Sequence, residues 1–290
     1  MKNAQESLTA KLCSFARAHH SNFIKQKIFD DYLAFDIMGK EEYDEVKMLV
    51  KSVFSNNEKC FDTGMLLNQY ISPILLPRIA YAENALCSFS IEHKNIQYVI
   101  MGAGMDTFAF RNTNENIKVF ELDHPSTQRY KLKRIKHLMW NVPQNLTFVP
   151  IDFEVEDLKD ALFNSGFNPD IPSFFTILGV SYYLDFGAFS KTIEDISQIM
   201  NSVIKIVFDY PDETTFEVQR SKFLADITAS LGEPMKQGFL YSDFESLFFD
   251  LGLDIESHLS PQDIQNIYFR ERNDGQKAYK NIHFMTVRKG

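Results

Sequence analysis

From Ile96 onward the sequence alternates short apolar runs with amphipathic stretches, and this alternation limits the fold more than any other feature of the chain. Residues 97–101, 117–122, 146–151, 173–178 and 203–209 read as strands. Residues 125–139, 155–163 and 186–200 read as the helices between them. Strands joined through helices cannot pair as hairpins. They need crossovers, and so form a parallel sheet with helices on both faces. Pro125 suits the first turn of its helix, where no N–H partner is required. Further helices are expected at 215–231 and 242–251, with a turn at Gly232-Glu233-Pro234 between them and Gly252 as a cap. Strands at 253–258 and 281–288 close the pattern.

The first 90 residues are helical in character instead. A run from Ser7 to about His19 is amphipathic, and Val46, Leu49, Val50 and Val53 repeat at helical spacing within 41–54. FDDYLAFDIMG between them suits a short helix. Residues 66–89 form a long apolar run that Pro73 and Pro77 should kink or divide. No Gly/Ser-rich linker follows. The expected organisation is one α/β unit at 91–290 with a helical N-terminal extension, 1–90, packed on it.

Composition excludes several classes. A chain of 290 residues buries a full core without metal or disulfide support. A net charge of −9 opposes the positive field that non-specific nucleic-acid binding needs. No apolar stretch is long enough to span a membrane, and the N-terminus lacks a signal-peptide core, so a cytoplasmic protein is expected. Cys13, Cys60 and Cys87 are odd in number and far apart, which argues against a disulfide framework or a structural zinc site; no metal is expected.

The strongest local signal is Val99-Ile100-Met101-Gly102-Ala103-Gly104-Met105-Asp106-Thr107, an apolar strand running into a glycine turn. Glycine there lets a ligand approach the main chain, and open α/β sheets bind ligands beyond the carboxyl ends of their strands. The dinucleotide fingerprint needs a third glycine where Thr107 stands, so a nucleoside without a pyrophosphate fits better than NAD. The second strand ends in Glu121-Leu122-Asp123. A carboxylate there can accept from both hydroxyls of a ribose, and Asp123, nearer the mouth, is the better placed. The third strand ends in Ile151-Asp152-Phe153, where an acid can accept an adenine amino group beside an apolar neighbour.

With these residues in view, the chain resembles the leucine carboxyl methyltransferase family of S-adenosylmethionine-dependent enzymes, including its bacterial O-methyltransferase branch. VIMGAGMDTFAFR, VFELDHPSTQRYKLKRI, FVPIDF and LGVSYYL carry the resemblance, which extends from about Leu76 to Leu251. It implies a Rossmann-like class I methyltransferase: a seven-stranded, mostly parallel sheet with an antiparallel last strand. It implies S-adenosylmethionine as cofactor, with Gly102, Ala103 and Gly104 in the cofactor loop, Asp123 on the ribose, and Asp152 and Phe153 at the adenine. Arg78, before the first strand, would hold the methionine carboxylate with its planar fork. Leu178 stands in the cofactor-binding set where many members carry Glu, a departure that bears on the substrate class. Tyr182 is a candidate for lining the acceptor pocket, as is Phe35 with Phe15, Phe23, Phe29 and Tyr32. No motif places a catalytic base, and His124 is as well suited to capping the next helix. The implied activity is methyl transfer to a hydroxyl or carboxyl oxygen of a small molecule. Carboxyl methylation of a protein C-terminus and a degenerate, non-catalytic cofactor-binding protein are the alternatives.

Overall fold

The computed structural model describes residues 8–54, 62–230, 232–236 and 238–290, so Ser7 and Cys60 lie outside the described residues. The N-terminal part contains α1 (Leu8–Phe23), α2 (Ala34–Met38), α3 (Lys40–Phe54), α4 (Thr63–Leu66) and α5 (Ser72–Glu92). There follow β1 (Ile96–Met101), α6 (Phe108–Arg111), β2 (Ile117–Asp123), α7 (Pro125–His137), β3 (Leu146–Pro150) and α8 (Leu158–Asn164). The chain continues through β4 (Ser173–Ile177), α9 (Phe186–Ile199), β5 (Ile204–Pro211), α10 (Gln219–Ser230), α11 (Tyr241–Leu251), β6 (Asp254–Leu259), α12 (Pro261–Ile264) and β7 (Ile282–Lys289).

The strands form one sheet in the order β3-β2-β1-β4-β5-β7-β6, in which only β7 runs against its neighbours. This is the arrangement the resemblance implies. Strands β1, β4 and β5 are buried along their whole length, as central parallel strands covered on both faces must be. Alternate side chains serve opposite faces. Val99, Phe120, Phe175 and Phe208 join α9 and α11 in one apolar cluster. Tyr98, Val119, Phe174 and Val207 pack against Ala82, Leu86 and Phe89 of α5. A third cluster, with Phe15, Met38, Tyr43, Val46, Leu67, Leu75 and Ile79, joins α1, α2 and α3 to α5. The chain order reverses between β1 and β4, which places the open crevice beyond their carboxyl ends.

The long apolar run divides before Pro73. Residues Leu67–Ile71 form a wide π-type turn, and Pro77 is accommodated inside α5. An α-helix would offer the Gln69 carbonyl to the N–H of residue 73, but proline has none. Arg220 Nε donates to that carbonyl instead, at 2.5 Å. Two helices start later than their apolar spacing predicts. Asp157 caps α8 by accepting from Asp160 N at 3.0 Å, and the Asp212 side chain accepts from Thr214 N in the turn before α10. The helical segment at α12 had no clear sequence signal beyond its Ser260–Asp263 capping box.

His20 fixes the path between α1 and α2. It is 1% exposed, and its Nε2 accepts the Ile28 N–H at 2.9 Å. Burial, with Arg272 nearby, pushes its pKa down to about 4. Burial and His283 do the same to His258. Between their ordinary value near 6.5 and about 4, the unfolded chain therefore binds more protons than the folded one. Stability should fall as pH drops through that window. A His20→Gln variant should lose about one proton from the slope, roughly 1.4 kcal/mol per pH unit. Urea unfolding at a series of pH values reads this directly, and an unchanged slope would assign the acid loss to other groups.

Candidate functional site

Strand β1 runs into the glycine turn with Gly102 at φ +73° and Gly104 at φ +54°, in the left-handed region that glycine reaches without strain. The Gly102 and Ala103 amides both donate to the Leu122 carbonyl, at 2.9 and 3.0 Å, which folds the turn over the end of β2. There the Asp123 carboxylate accepts from the Gly104 amide and, at 2.6 Å, from the His124 amide. Burial pushes the Asp123 pKa up, and these two amides pull it back. Its neighbour two residues earlier is otherwise committed: Glu121 is 1% exposed and paired with the buried Lys131. Of the two acids, Asp123 alone meets the glycine turn.

His124 caps α7, its Nδ1 accepting from Ser126 N. Its Nε2 lies 3.7 Å from Asp152 Oδ2. Asp152 accepts from the Glu154 amide at 3.1 Å, and Phe153 beside it is 47% exposed. Asp123, Asp152 and Phe153 thus share the edge beyond β2 and β3. The turn is faced by two other segments. A Cβ on Gly102 would stand 3.1 Å from Val180, and one on Gly104 would stand 3.4 Å from Ala10 of α1.

Arg78, on α5, meets the same edge beyond β4 and β5. Its Nη1 donates to Asp209 Oδ2 at 3.1 Å, and its Nε is buried without a partner. Burial opposes the guanidinium charge, but Asp209 more than offsets this and raises the Arg78 pKa. Asp209 is fully buried. It also accepts from the Gly179 amide and from the Tyr182 hydroxyl, each at 2.7 Å. Gly179 sits at φ +71°, and a Cβ there would meet Arg78 Nη2 at 2.4 Å. A cavity of about 80 Å³ opens beside this cluster. Leu12, Ile71, Ile74, Leu75, Leu224 and Ile227 supply apolar walls, and Arg78, Gly179 and Tyr182 form one end. Leu178 packs in the apolar clusters next to α5. Phe35 stands apart from the cavity. Its ring lies 5.1 Å from Tyr43, inside the packing of the N-terminal helices.

Two groups escaped the sequence reasoning. One is Asp209, a fully buried acid near the end of β5; a buried charge in that place needs partners, and that was its available signal. The other is a polar cluster around Asp31. Arg17 Nη1 donates to Asp31 Oδ2 and Thr107 Oγ1 to Asp31 Oδ1, both at 2.5 Å. Arg17 Nη2 reaches the Met105 carbonyl at 2.7 Å, and Arg111 joins Thr107 to Glu83. The cluster ties α1 and the loop before α2 to the residues directly after the glycine turn. No local motif announces pairings 76 to 88 residues apart.

Residues 10–197 match the leucine carboxyl methyltransferase family. The chain belongs to that family. The match begins in α1, so the N-terminal helices are part of what it shares with the leucine carboxyl methyltransferases. A protein of Bacillus subtilis (strain 168), YktD, named as a provisional S-adenosyl-L-methionine-dependent methyltransferase, is 36% identical over 98% of both chains. Among solved structures, a DUF574 family protein from Streptomyces avermitilis superposes with a TM-score of 0.56 at 14% identity, covering 94% of this chain and 100% of that one. A structure from Thermobifida fusca, titled as a provisional methyltransferase, gives 0.51 at 13% identity over 83% and 93%. At such identities these two speak for the fold. The chain is an S-adenosylmethionine-dependent methyltransferase, and a methyl acceptor is its second substrate.

Removing the Asp31 carboxylate leaves the buried Arg17 guanidinium without its carboxylate partner. Asp31→Ala should cost about 3–5 kcal/mol of unfolding free energy. Asp30→Ala, at the exposed neighbour, should stay within about 0.5 kcal/mol. Denaturant titration of both variants checks the contrast, and equal effects would deny the cluster its structural role.

Proposed function

We propose that this methyltransferase acts on an oxygen of a small molecule, a hydroxyl or carboxyl group, in the cytoplasm. The carrying observation is the largely apolar cavity that ends on Arg78, Gly179 and Tyr182. The residues present fit the cofactor. Two left-handed glycines leave main chain bare beside Asp123, and Arg78 Nε is buried without a partner. In this reading Gly102, Ala103 and Gly104 line the cofactor and Asp123 accepts from the ribose. Asp152 and Phe153 take the adenine, and Arg78 holds the methionine carboxylate with Leu178 as an apolar neighbour. When bound, the cofactor supplies an electrophilic methyl group for an in-line displacement. The protein's task is to exclude water and hold the acceptor oxygen in near-attack geometry.

Among the described residues that line the cavity there is no His, Asp, Glu or Lys. Burial raises the pKa of the Cys13 thiol, of Tyr182, and of Tyr183, the last to about 12. None of these is a base near neutral pH. A carboxylate acceptor is already nucleophilic and needs none, so this lining favours a carboxylate over an alcohol. Tyr182 serves as part of the acceptor wall. Phe35, packed on Tyr43 among the N-terminal helices, is not part of that wall. Residues 1–90 act as a cover for the unit at 91–290, a division supported by Thr9, Leu12, Cys13, Tyr70 and Ile71 lining the cavity. Free thiols at Cys13 and Cys87 suit the proposed compartment.

Calorimetric titration with S-adenosylhomocysteine, the demethylated product, tests this reading. Micromolar affinity, about −8 kcal/mol, is expected for the wild type. Asp123→Ala removes a charged acceptor for two hydroxyls and should weaken binding about a hundredfold. A folded wild-type protein that fails to bind would overturn the cofactor assignment, and an unaffected variant would overturn the ribose contact.

A further inference from the structure

Asp209 carries no role in the cofactor reading above, yet its buried carboxylate accepts three hydrogen bonds at the carboxyl edge of the sheet. Its Oδ1 accepts from the Gly179 amide, and its Oδ2 accepts from Tyr182 Oη and Arg78 Nη1. Its main-chain carbonyl accepts from Ser181 Oγ at 2.6 Å. Every one of these donors belongs to the rim of the cavity or to the loop leading to it. Arg78 approaches Asp209 with its Nη1, while Nε remains buried and unpaired. Gly179 lacks a Cβ where one would collide with Nη2. Held this way, the fork has one side committed to Asp209 and another presented to a second carboxylate.

We propose that Asp209 is a positioning residue for the amino-acid end of the cofactor: it fixes Arg78, Tyr182 and the 179–181 turn in the geometry that receives a ligand carboxylate. The inference rests on the cofactor reading above and goes beyond it, since it makes that recognition depend on a residue that need not touch the ligand. Around Arg78 the cavity wall is mostly apolar, so a guanidinium released from Asp209 has no equivalent anchor there. A ligand would then have to order a side chain with four rotatable bonds as it binds. Loss of the Asp209 charge also strengthens the local positive field, which pulls binding in the opposite direction. The geometry predicts that ordering outweighs this gain.

Two ligands separate the recognition of the amino-acid end from the rest of the site. S-adenosylhomocysteine carries the amino-acid chain, and 5′-methylthioadenosine is the same nucleoside thioether without it. Calorimetry on the full chain should show Asp209→Asn weakening S-adenosylhomocysteine at least about tenfold while 5′-methylthioadenosine binds as to wild type. Tyr182→Phe removes one donor from Asp209 Oδ2 and keeps both charges of the ion pair. It should shift the same ligand in the same direction by about two- to fourfold. It decides the matter if Asp209→Asn does not fold. Equal losses for both ligands would mean Asp209 merely supports the fold. Unchanged or tighter S-adenosylhomocysteine binding would mean that Arg78 needs no anchor, and either result overturns the proposal. Failure of wild type to bind either ligand would overturn the cofactor reading instead.

Discussion

The buried Asp31 carboxylate bonds the first helix to the segment that follows the glycine turn. One oxygen takes Arg17 from α1, and the other takes Thr107 from the segment after the glycine turn. Arg17 also closes on the Met105 carbonyl, so the helix that covers the turn is bonded to the turn's own continuation. Charges buried this deeply persist only when their partners are in place. Helix α1 and the turn are therefore held as a single structural unit. Ala10 can lie against Gly104 because Arg17, two helical turns further along α1, is fixed to the same loop.

The sheet was legible because parallel strands are written twice in a sequence, once as apolar runs and again as the crossovers between them. All seven strands fall within one or two residues of their expected bounds. The errors lie where side chains outbid spacing. Asp157 and Asp212 draw amides into turns and delay the helices behind them. Pro73 opens a carbonyl that a distant arginine fills, and no reading of residues 66–89 alone could supply Arg220. At the site, the glycines and Asp123 were legible because their chemistry is local: turn, strand end and carboxylate lie within 22 residues. Asp209 and Asp31 acquire meaning only from partners brought in from other elements.

Glu121 and Asp123 show why spacing could narrow a choice without deciding it. Both acids point to the same side of β2, and the sequence favours the one nearer the mouth. The structure supplies the physical reason. Lys131, one helix later, comes back over the strand and occupies Glu121, while Asp123 is left to the amides of the turn. A buried lysine needs a buried acid, and the inner position is the only one of the two deep enough to serve it.

The same logic bears on Leu178, where the resemblance leads one to look for a carboxylate. Ile177 of β4 pairs with Phe208 of β5, so Leu178 and Asp209 follow at the same level on adjacent strands. The edge of the sheet therefore keeps a negative charge at this height, displaced by one strand and buried beneath the rim. That displacement changes what the charge can do. Asp209 meets Arg78 from β5, and the side chain at 178 packs instead against the cluster that contains Leu75 and Ile79. Position 178 can stay apolar because the counter-charge that a buried Arg78 needs comes from β5 instead.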